Sequence, residues 1–60
     1  MTIYIVYYNT ELMGAFKNYE SAIKCIAFDQ NVPSEEVKIE IERDGNYLDN
    51  YYIDSTELEE

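Results

Sequence analysis

The chain has 60 residues, of which 13 are acidic and 4 are basic, so its formal net charge at pH 7 is −9. A chain of this length buries only about 60% of the surface that it exposes when unfolded, which leaves room for one small core and excludes a separate catalytic domain. It contains no histidine and one cysteine, Cys25. The commonest general base, the commonest metal ligand and a disulfide within these residues are therefore excluded.

The acidic residues are concentrated in the second half of the chain. Residues 1–34 carry three acids against two basic residues, a net charge of −1, whereas residues 35–60 carry ten acids against two, a net charge of −8. Such a field repels nucleic acid and anionic membranes and attracts basic surfaces. We therefore predict a basic protein partner and no direct binding of nucleic acid or membrane.

The first segment, from Thr2 to Tyr8, is β-branched or aromatic at nearly every position. This pattern predicts a strand with apolar side chains on both faces, which is typical of an interior strand. Turn-forming residues follow at 9–11, and Leu12 to Phe16 resumes an extended pattern in which Gly14 marks a bulge or a close approach. The sequence thus predicts a β-hairpin.

The cellular location is predicted from the same segment and from Cys25. The apolar run ends at Asn9, well short of the roughly 18 residues of a membrane helix, and no basic stretch precedes it. A single cysteine is typical of a reducing compartment. We predict a cytoplasmic protein.

A helix is predicted from about Tyr19 to Asp29. Asn18 is a favourable N-cap, and Glu20 suits the positive end of the helix dipole. Apolar residues recur with helical spacing at Tyr19, Ala22, Ile23, Ile26 and Ala27. The helix should end before Asn31-Val32-Pro33, because proline disfavours helical geometry in the residue before it.

Beyond the proline, Val37, Ile39 and Ile41 alternate with charged residues, which predicts a strand with one buried face. Asp44-Gly45-Asn46 is read as a turn leading to a partner strand from Tyr47 to Asp54. A three-residue loop would place Val37 opposite Ile53, whereas a two-residue turn would place Asn50 opposite Ile39. The first register is favoured because it keeps an amide out of the core.

These elements predict an α+β fold of ββαββ order, an antiparallel sheet with one helix packed on one face. Residues 1–54 form the single domain, and residues 55–60 form an acidic, frayed tail.

No arrangement of residues predicts catalysis, a cofactor or a metal. Three serines and Cys25 lack a base partner, and Cys25 next to the apolar stripe is expected to be partly buried and inert. Asp44-Gly45-Asn46 with Asp49 lacks the full ligand run of a calcium loop, so a turn explains it better. We predict that the protein is not an enzyme.

A partner-binding surface is predicted on the C-terminal hairpin. On a strand, Glu40 and Glu42 would project from one face about 6.6 Å apart, with Glu36 extending the row. Asp49 and Asp54 would add charge around the hairpin. The proposed aromatic anchors are Tyr47, Tyr51 and Tyr52. The alternative is that the acids serve solubility only.

The stretch from Ile3 to Ala27, with Leu12-Met13-Gly14-Ala15-Phe16 and then Asn18-Tyr19-Glu20-Ser21-Ala22-Ile23, resembles short proteins that are common in phage genomes. In size and charge the whole chain is similar to phage-encoded inhibitors such as anti-restriction and anti-CRISPR proteins, several of which present acidic surfaces in place of DNA. The resemblance implies an inhibitor that occupies the basic, nucleic-acid-binding surface of a host protein. The alternative is a homo-oligomeric assembly module that dimerises through the two-faced first strand or the aromatic surface.

Overall fold

A computed structural model describes residues 1–58 and shows a small α+β fold, which confirms the predicted class. The elements are β1 (Thr2–Tyr8), β2 (Glu11–Phe16), α1 (Tyr19–Gln30), α2 (Ser34–Asp44) and β3 (Tyr51–Glu57). The three strands form one antiparallel sheet in the order β2-β1-β3. The order of elements is therefore ββααβ, and the predicted ββαββ fold with one helix is wrong in detail.

The β1–β2 hairpin forms as predicted, with β1 as the interior strand of the sheet. Asn9 begins the connecting turn with a positive φ of 56°. The register shifts between Val6 and Tyr7, which marks a bulge beside Gly14. A Cβ atom on Gly14 would lie 3.1 Å from the ring of Phe16, so glycine allows this ring to pack against the backbone.

Helix α1 matches its prediction to within one residue at its C-terminal end. Its buried face contains Ala22, Ile23, Ile26 and Ala27, four of the five residues with helical spacing. Asn31 ends the helix in the left-handed conformation, with a φ of 56°. Asn18 is the N-cap residue, but its side chain makes no capping hydrogen bond. Cys25 is half-buried beside the core, and burial raises the pKa of its thiol.

The predicted strand from Val37 to Glu42 is instead the helix α2, in which Val37 and Ile41 are buried and Ile39 is exposed. Residues i and i+4 share one face of a helix, whereas alternate residues share one face of a strand. The residues that favour a helix over a strand lie at the two ends of this segment. Glu35 and Glu36 occupy the first turn, Arg43 occupies the last, and Gly45 ends the helix at a φ of 80° with its N–H bound to the Ile41 carbonyl.

Strand β3 pairs with β1 and not with residues 37–42, so both registers considered for a C-terminal hairpin are wrong. Ile53 lies opposite Val6, and Tyr52 lies opposite Tyr7. Central strand β1 is apolar on both faces and gains a hydrogen-bonded neighbour on each edge. Residues 47–50 form a turn before the strand, with positive φ at Leu48 and Asp49.

Strand β3 also continues beyond the predicted domain boundary at residue 54. It includes Ser55, Thr56 and Glu57, which the sequence analysis assigned to a frayed tail. The Leu58 N–H then donates to the Met1 carbonyl at 2.8 Å. The rest of the predicted tail, Glu59 and Glu60, lies outside the described residues.

Both helices cover the same face of the sheet, since one core contains side chains from α1, α2 and that face. Its buried members are Val6, Ala22, Ile23, Ile26, Ala27, Val37, Ile41, Tyr47 and Tyr51. None of the helices in residues 1–58 has the length and apolar character needed to cross a bilayer. The opposite face of the sheet has no layer packed on it from this part of the chain.

Candidate functional site

The outer α2 surface is the side of α2 that points away from the core. It comprises Glu35, Glu36, Ile39, Glu40, Glu42 and Arg43. Consecutive helix residues are rotated by about 100°, so Ile39 lies opposite the buried pair of Val37 and Ile41. Its side chain is 60% exposed. An exposed apolar residue therefore stands at the centre of this surface, with carboxylates on both flanks.

One flank of the outer α2 surface faces Tyr47. Tyr47 Oη donates a hydrogen bond to Glu36 Oε2 at 2.8 Å. Burial, followed by this hydrogen bond to a carboxylate and by the charge of Glu40, raises the pKa of Tyr47 to about 12. Glu36 and Glu40 are four residues apart and thus lie on one side of the helix, about 6 Å apart along its axis.

Arg43 neutralises part of this flank. Its Nη2 lies 2.9 Å from Glu40 Oε1 and 2.9 Å from Asp44 Oδ2. The hydrogen bond to Asp44 is the main reason that the pKa of Arg43 is raised, and the same bond lowers the pKa of Asp44. The adjacent hollow on the surface is lined by Pro33, Glu35, Glu36, Ile39, Glu40 and Arg43.

The other flank faces α1. Lys38 Nζ donates to Glu20 Oε1 at 3.0 Å and so links the two helices. Glu42 lies on this side, one helical turn after Lys38, and its charge contributes, after burial, to raising the pKa of Tyr19 on α1. Within residues 1–58, neither Glu35 nor Glu42 forms a salt bridge. Within this part of the chain, neither carboxylate is held in an ion pair, so both can pair with a cation of a partner.

The predicted row of Glu36, Glu40 and Glu42 on one strand face is therefore wrong. On a helix, Glu40 and Glu42 are separated by about 160° and point to opposite flanks. The structure keeps Glu36 and Glu40 together and separates Glu42 from them. Asp49 lies in the turn before β3, and Asp54 lies on β3, so neither belongs to the outer α2 surface.

Two of the three predicted aromatic anchors are in the core. Tyr47 is 3% exposed and Tyr51 is 1% exposed, so neither ring is accessible to a partner. The Tyr51 hydroxyl donates to Asp29 and accepts a hydrogen bond from Gln30 Nε2 at 2.6 Å. Burial, and then the bond to Asp29, raise the pKa of Tyr51. Tyr51 thus joins β3 to α1, and Tyr47 joins the segment before β3 to α2.

Tyr52, the third predicted anchor, belongs to a second exposed surface. The open sheet face is the side of the sheet that carries no helix. It comprises Ile3, Ile5, Tyr7, Leu12, Ala15, Tyr52, Asp54 and Thr56, which the register places on one side. It is mostly apolar, and Leu12 is 65% exposed. Asp54 is its one acid, because Glu11 and Glu57 pair with Tyr8 and Thr2 on the other side.

Sequence reasoning missed Ile39 as a surface residue, since alternation placed it in the core. The signals that correct it are the acids after Pro33 and Gly45 after Asp44, which mark the two ends of a helix. No three His, Cys, Asp or Glu side chains in residues 1–58 are grouped so that they could hold a metal ion. Comparisons with protein-family models, curated proteins and solved structures find no match to this chain.

Proposed function

We propose that the protein is a small acidic inhibitor, of the phage type, that binds the basic nucleic-acid-binding surface of a host protein in the host cytoplasm. The observation that carries this proposal is the outer α2 surface, where carboxylates flank the exposed side chain of Ile39. The proposed binding is non-enzymatic and needs no cofactor.

Charge supports a basic partner. Helix α2 carries five acids against Lys38 and Arg43, and both basic side chains are already bound to carboxylates of this chain. The chain as a whole has a net charge of −9. A field of one sign speeds the approach of an oppositely charged surface and discriminates against acidic ones. Nucleic acid, whose binding normally depends on Lys and Arg, is disfavoured as a direct ligand.

Geometry supports a partner that normally binds phosphates. Each DNA strand presents one negative charge per roughly 3.4 Å of axis, and a basic groove binds this array of phosphates mainly through charge. Glu36 and Glu40 are about 6 Å apart along α2, and Glu35 and Glu42 are about 10 Å apart. Helix α2 holds these charges on a rigid element. The C-terminal hairpin was predicted to do the same.

Ile39 supports a protein partner in particular. Interfaces between proteins combine an apolar centre with a polar rim that excludes water. The open hollow beside Ile39 is bordered by Pro33, Glu36 and Arg43. A basic surface with an apolar side chain between its cationic groups would fit this arrangement.

A capture experiment with a nucleic-acid competitor tests the proposal. Immobilised protein is incubated with bacterial lysate at low salt, and bound proteins are eluted either with about 0.5 M salt or with a duplex oligonucleotide. We expect a basic nucleic-acid-binding protein to be released by both, because the duplex competes for the same surface. Proteins that are captured but resist the duplex would contradict occupation of a nucleic-acid surface.

A further inference from the structure

Strand β3 forms one edge of the sheet, so its outer side has no strand of the sheet beside it. In an antiparallel pair, alternate residues bond to the neighbouring strand, and the backbone groups of the residues between them point outward. The Asn9 N–H donates to the Asn50 carbonyl at 2.6 Å, which assigns the even-numbered residues of β3 to the bonds with β1. The Leu58 N–H, which donates to the Met1 carbonyl, fits the same alternation. The outward-pointing residues of β3 are therefore Tyr51, Ile53, Ser55 and Glu57.

Two of these outward positions already have hydrogen-bond partners within the chain. The Tyr51 N–H donates to the Tyr47 carbonyl at 3.0 Å, and the Tyr47 N–H donates back to the Tyr51 carbonyl at 2.9 Å. The Ser55 N–H donates to Oδ1 of Asp54 at 2.8 Å. Ser55 is the middle residue of the outward run that Tyr47 leaves open, so any strand added there would need the bond that Asp54 has taken.

We propose that the Asp54 side chain closes the outer edge of β3 to the addition of an extended segment from another protein. The contact is autoinhibitory, because a carboxylate of this chain binds the central N–H donor of the edge. The proposal goes beyond the proposed inhibitor function and does not depend on it. It also gives a different role to Asp54, which the sequence predicted to contact a partner.

Steric cover does not protect this end of β3. Ser55, Thr56 and Glu57 are all exposed, so the helices leave this part of the strand accessible. The opposite edge of the sheet, on β2, is irregular, since the register shifts beside Gly14. Bulges and charged side chains are the usual means by which sheet edges resist pairing with other chains. The Asp54 contact supplies such protection to the regular edge.

Charge indicates which kind of segment the closed edge excludes. The net charge of −9 repels a second copy of this chain and attracts basic segments. Strand addition gains affinity from main-chain hydrogen bonds, which almost any extended segment can supply. An open edge on so acidic a protein would therefore bind extended basic segments with little selectivity. A closed edge leaves helix α2 as the side that a basic partner meets.

A peptide titration followed by NMR tests the proposal. The probe is an alternating lysine–valine peptide of about six residues, whose pattern favours a strand. Asp54→Ala and Asp54→Val remove the acceptor of the Ser55 bond. The matched control Asp54→Asn has the same net charge as these two variants but keeps an oxygen that can accept the bond.

We expect the probe to bind the edge of the alanine and valine variants about fivefold more tightly than that of the asparagine variant, which must first break the Ser55 bond. With a dissociation constant on the order of 1 mM in the alanine variant, about 2 mM peptide should slow hydrogen exchange of the Ser55 amide about threefold. The same peptide should slow it by less than about 1.5-fold in wild type and in Asp54→Asn.

Three outcomes would overturn the proposal. The first is an equal response of the Ser55 amide in Asp54→Ala and Asp54→Asn, and the second is a wild-type response as large as that of the alanine variant. The third is a Ser55 amide that does not respond to the peptide in the alanine and valine variants, or variants that no longer fold. Amide spectra report folding, and signals from α2 report separately whether the peptide binds the outer α2 surface.

Discussion

The outer α2 surface and the open sheet face lie on opposite sides of the same core, and they differ mainly in charge. The helix side presents Glu35 and Glu42 without cationic partners in residues 1–58, whereas the sheet side presents one carboxylate, Asp54. Salt should therefore weaken the binding of a basic partner to the helix side, whereas binding to the nearly uncharged sheet side should depend little on salt. Net charge alone therefore does not identify the binding surface of so small a protein.

The outer α2 surface exists only if α2 is a helix with Val37 buried and Ile39 exposed. Replacing Val37 by alanine removes buried methyl groups and should lower the free energy of unfolding by about 2 kcal/mol. Replacing Ile39, which is 60% exposed, should change it by less than about 0.5 kcal/mol. Urea denaturation measures both. Equal losses in the free energy of unfolding at the two positions would indicate a strand in place of α2 and would contradict the outer α2 surface.

A hydrogen bond from Tyr47 to Glu36 joins α2 to the segment before β3. Tyr47→Phe removes it and should lower the free energy of unfolding by about 1 kcal/mol at neutral pH. The folded protein raises the pKa of Tyr47 from 10.0 to about 12, so this group stabilises the fold fully below pH 10. Its contribution is lost as pH rises from 10 to 12.

Stability curves of wild type and Tyr47→Phe at several pH values check this sign, since other titrating groups cancel in the difference. The difference should shrink across that pH range. A stability difference that increased with pH would mean that the Tyr47 hydroxyl ionises more readily in the folded state than in the unfolded state, contrary to its burial.

The smallest effect is expected at the exposed ion pair between α1 and α2. Lys38→Ala removes the bond to Glu20 and should lower the melting temperature by no more than about 2 °C, since exposed ion pairs contribute little. Thermal melts at low and high salt measure the shift. A fall of more than about 6 °C would show that the charges of α2 serve the fold more than a partner.

Local patterns predicted the first half of the fold because its signals agree with one another. Strand β1, the turn at Asn9 and the apolar spacing of α1 each favour the same structure by propensity and by burial. These elements follow one another closely in the sequence, which leaves few alternative ways to pair or pack them. In this region the structure moves the C-terminal end of α1 from Asp29 to Gln30 and shows no capping hydrogen bond from the Asn18 side chain.

In the second half, the prediction of a strand over residues 51–54 is confirmed, but the strand predicted over residues 37–42 is wrong because two signals conflict there. Val37, Ile39 and Ile41 alternate as in a strand, while Glu35, Arg43 and Gly45 mark the start and end of a helix. A short alternating run cannot decide between them. The helix prevails because Val37 and Ile41 fill the core against α1, and because β1 already obtains its second neighbour from β3.

The sequence shows directly that the acids are concentrated after residue 34, but which of them share a face depends on the element that carries them. Local sequence also did not reveal that Tyr47 and Tyr51 are buried, because their place in the core depends on contacts with Glu36 and Asp29, 11 and 22 residues away.

The most direct test of the proposed function is the affinity of the captured basic protein for charge-reversed variants at several salt concentrations. Glu35→Lys with Glu42→Lys alters the outer α2 surface, and Glu11→Lys with Glu57→Lys makes the same change of net charge elsewhere. We expect the first pair to weaken binding at least about tenfold and to flatten its salt dependence, and the second pair to have a much smaller effect. Equal losses from both pairs, or none from the first, would contradict binding through α2.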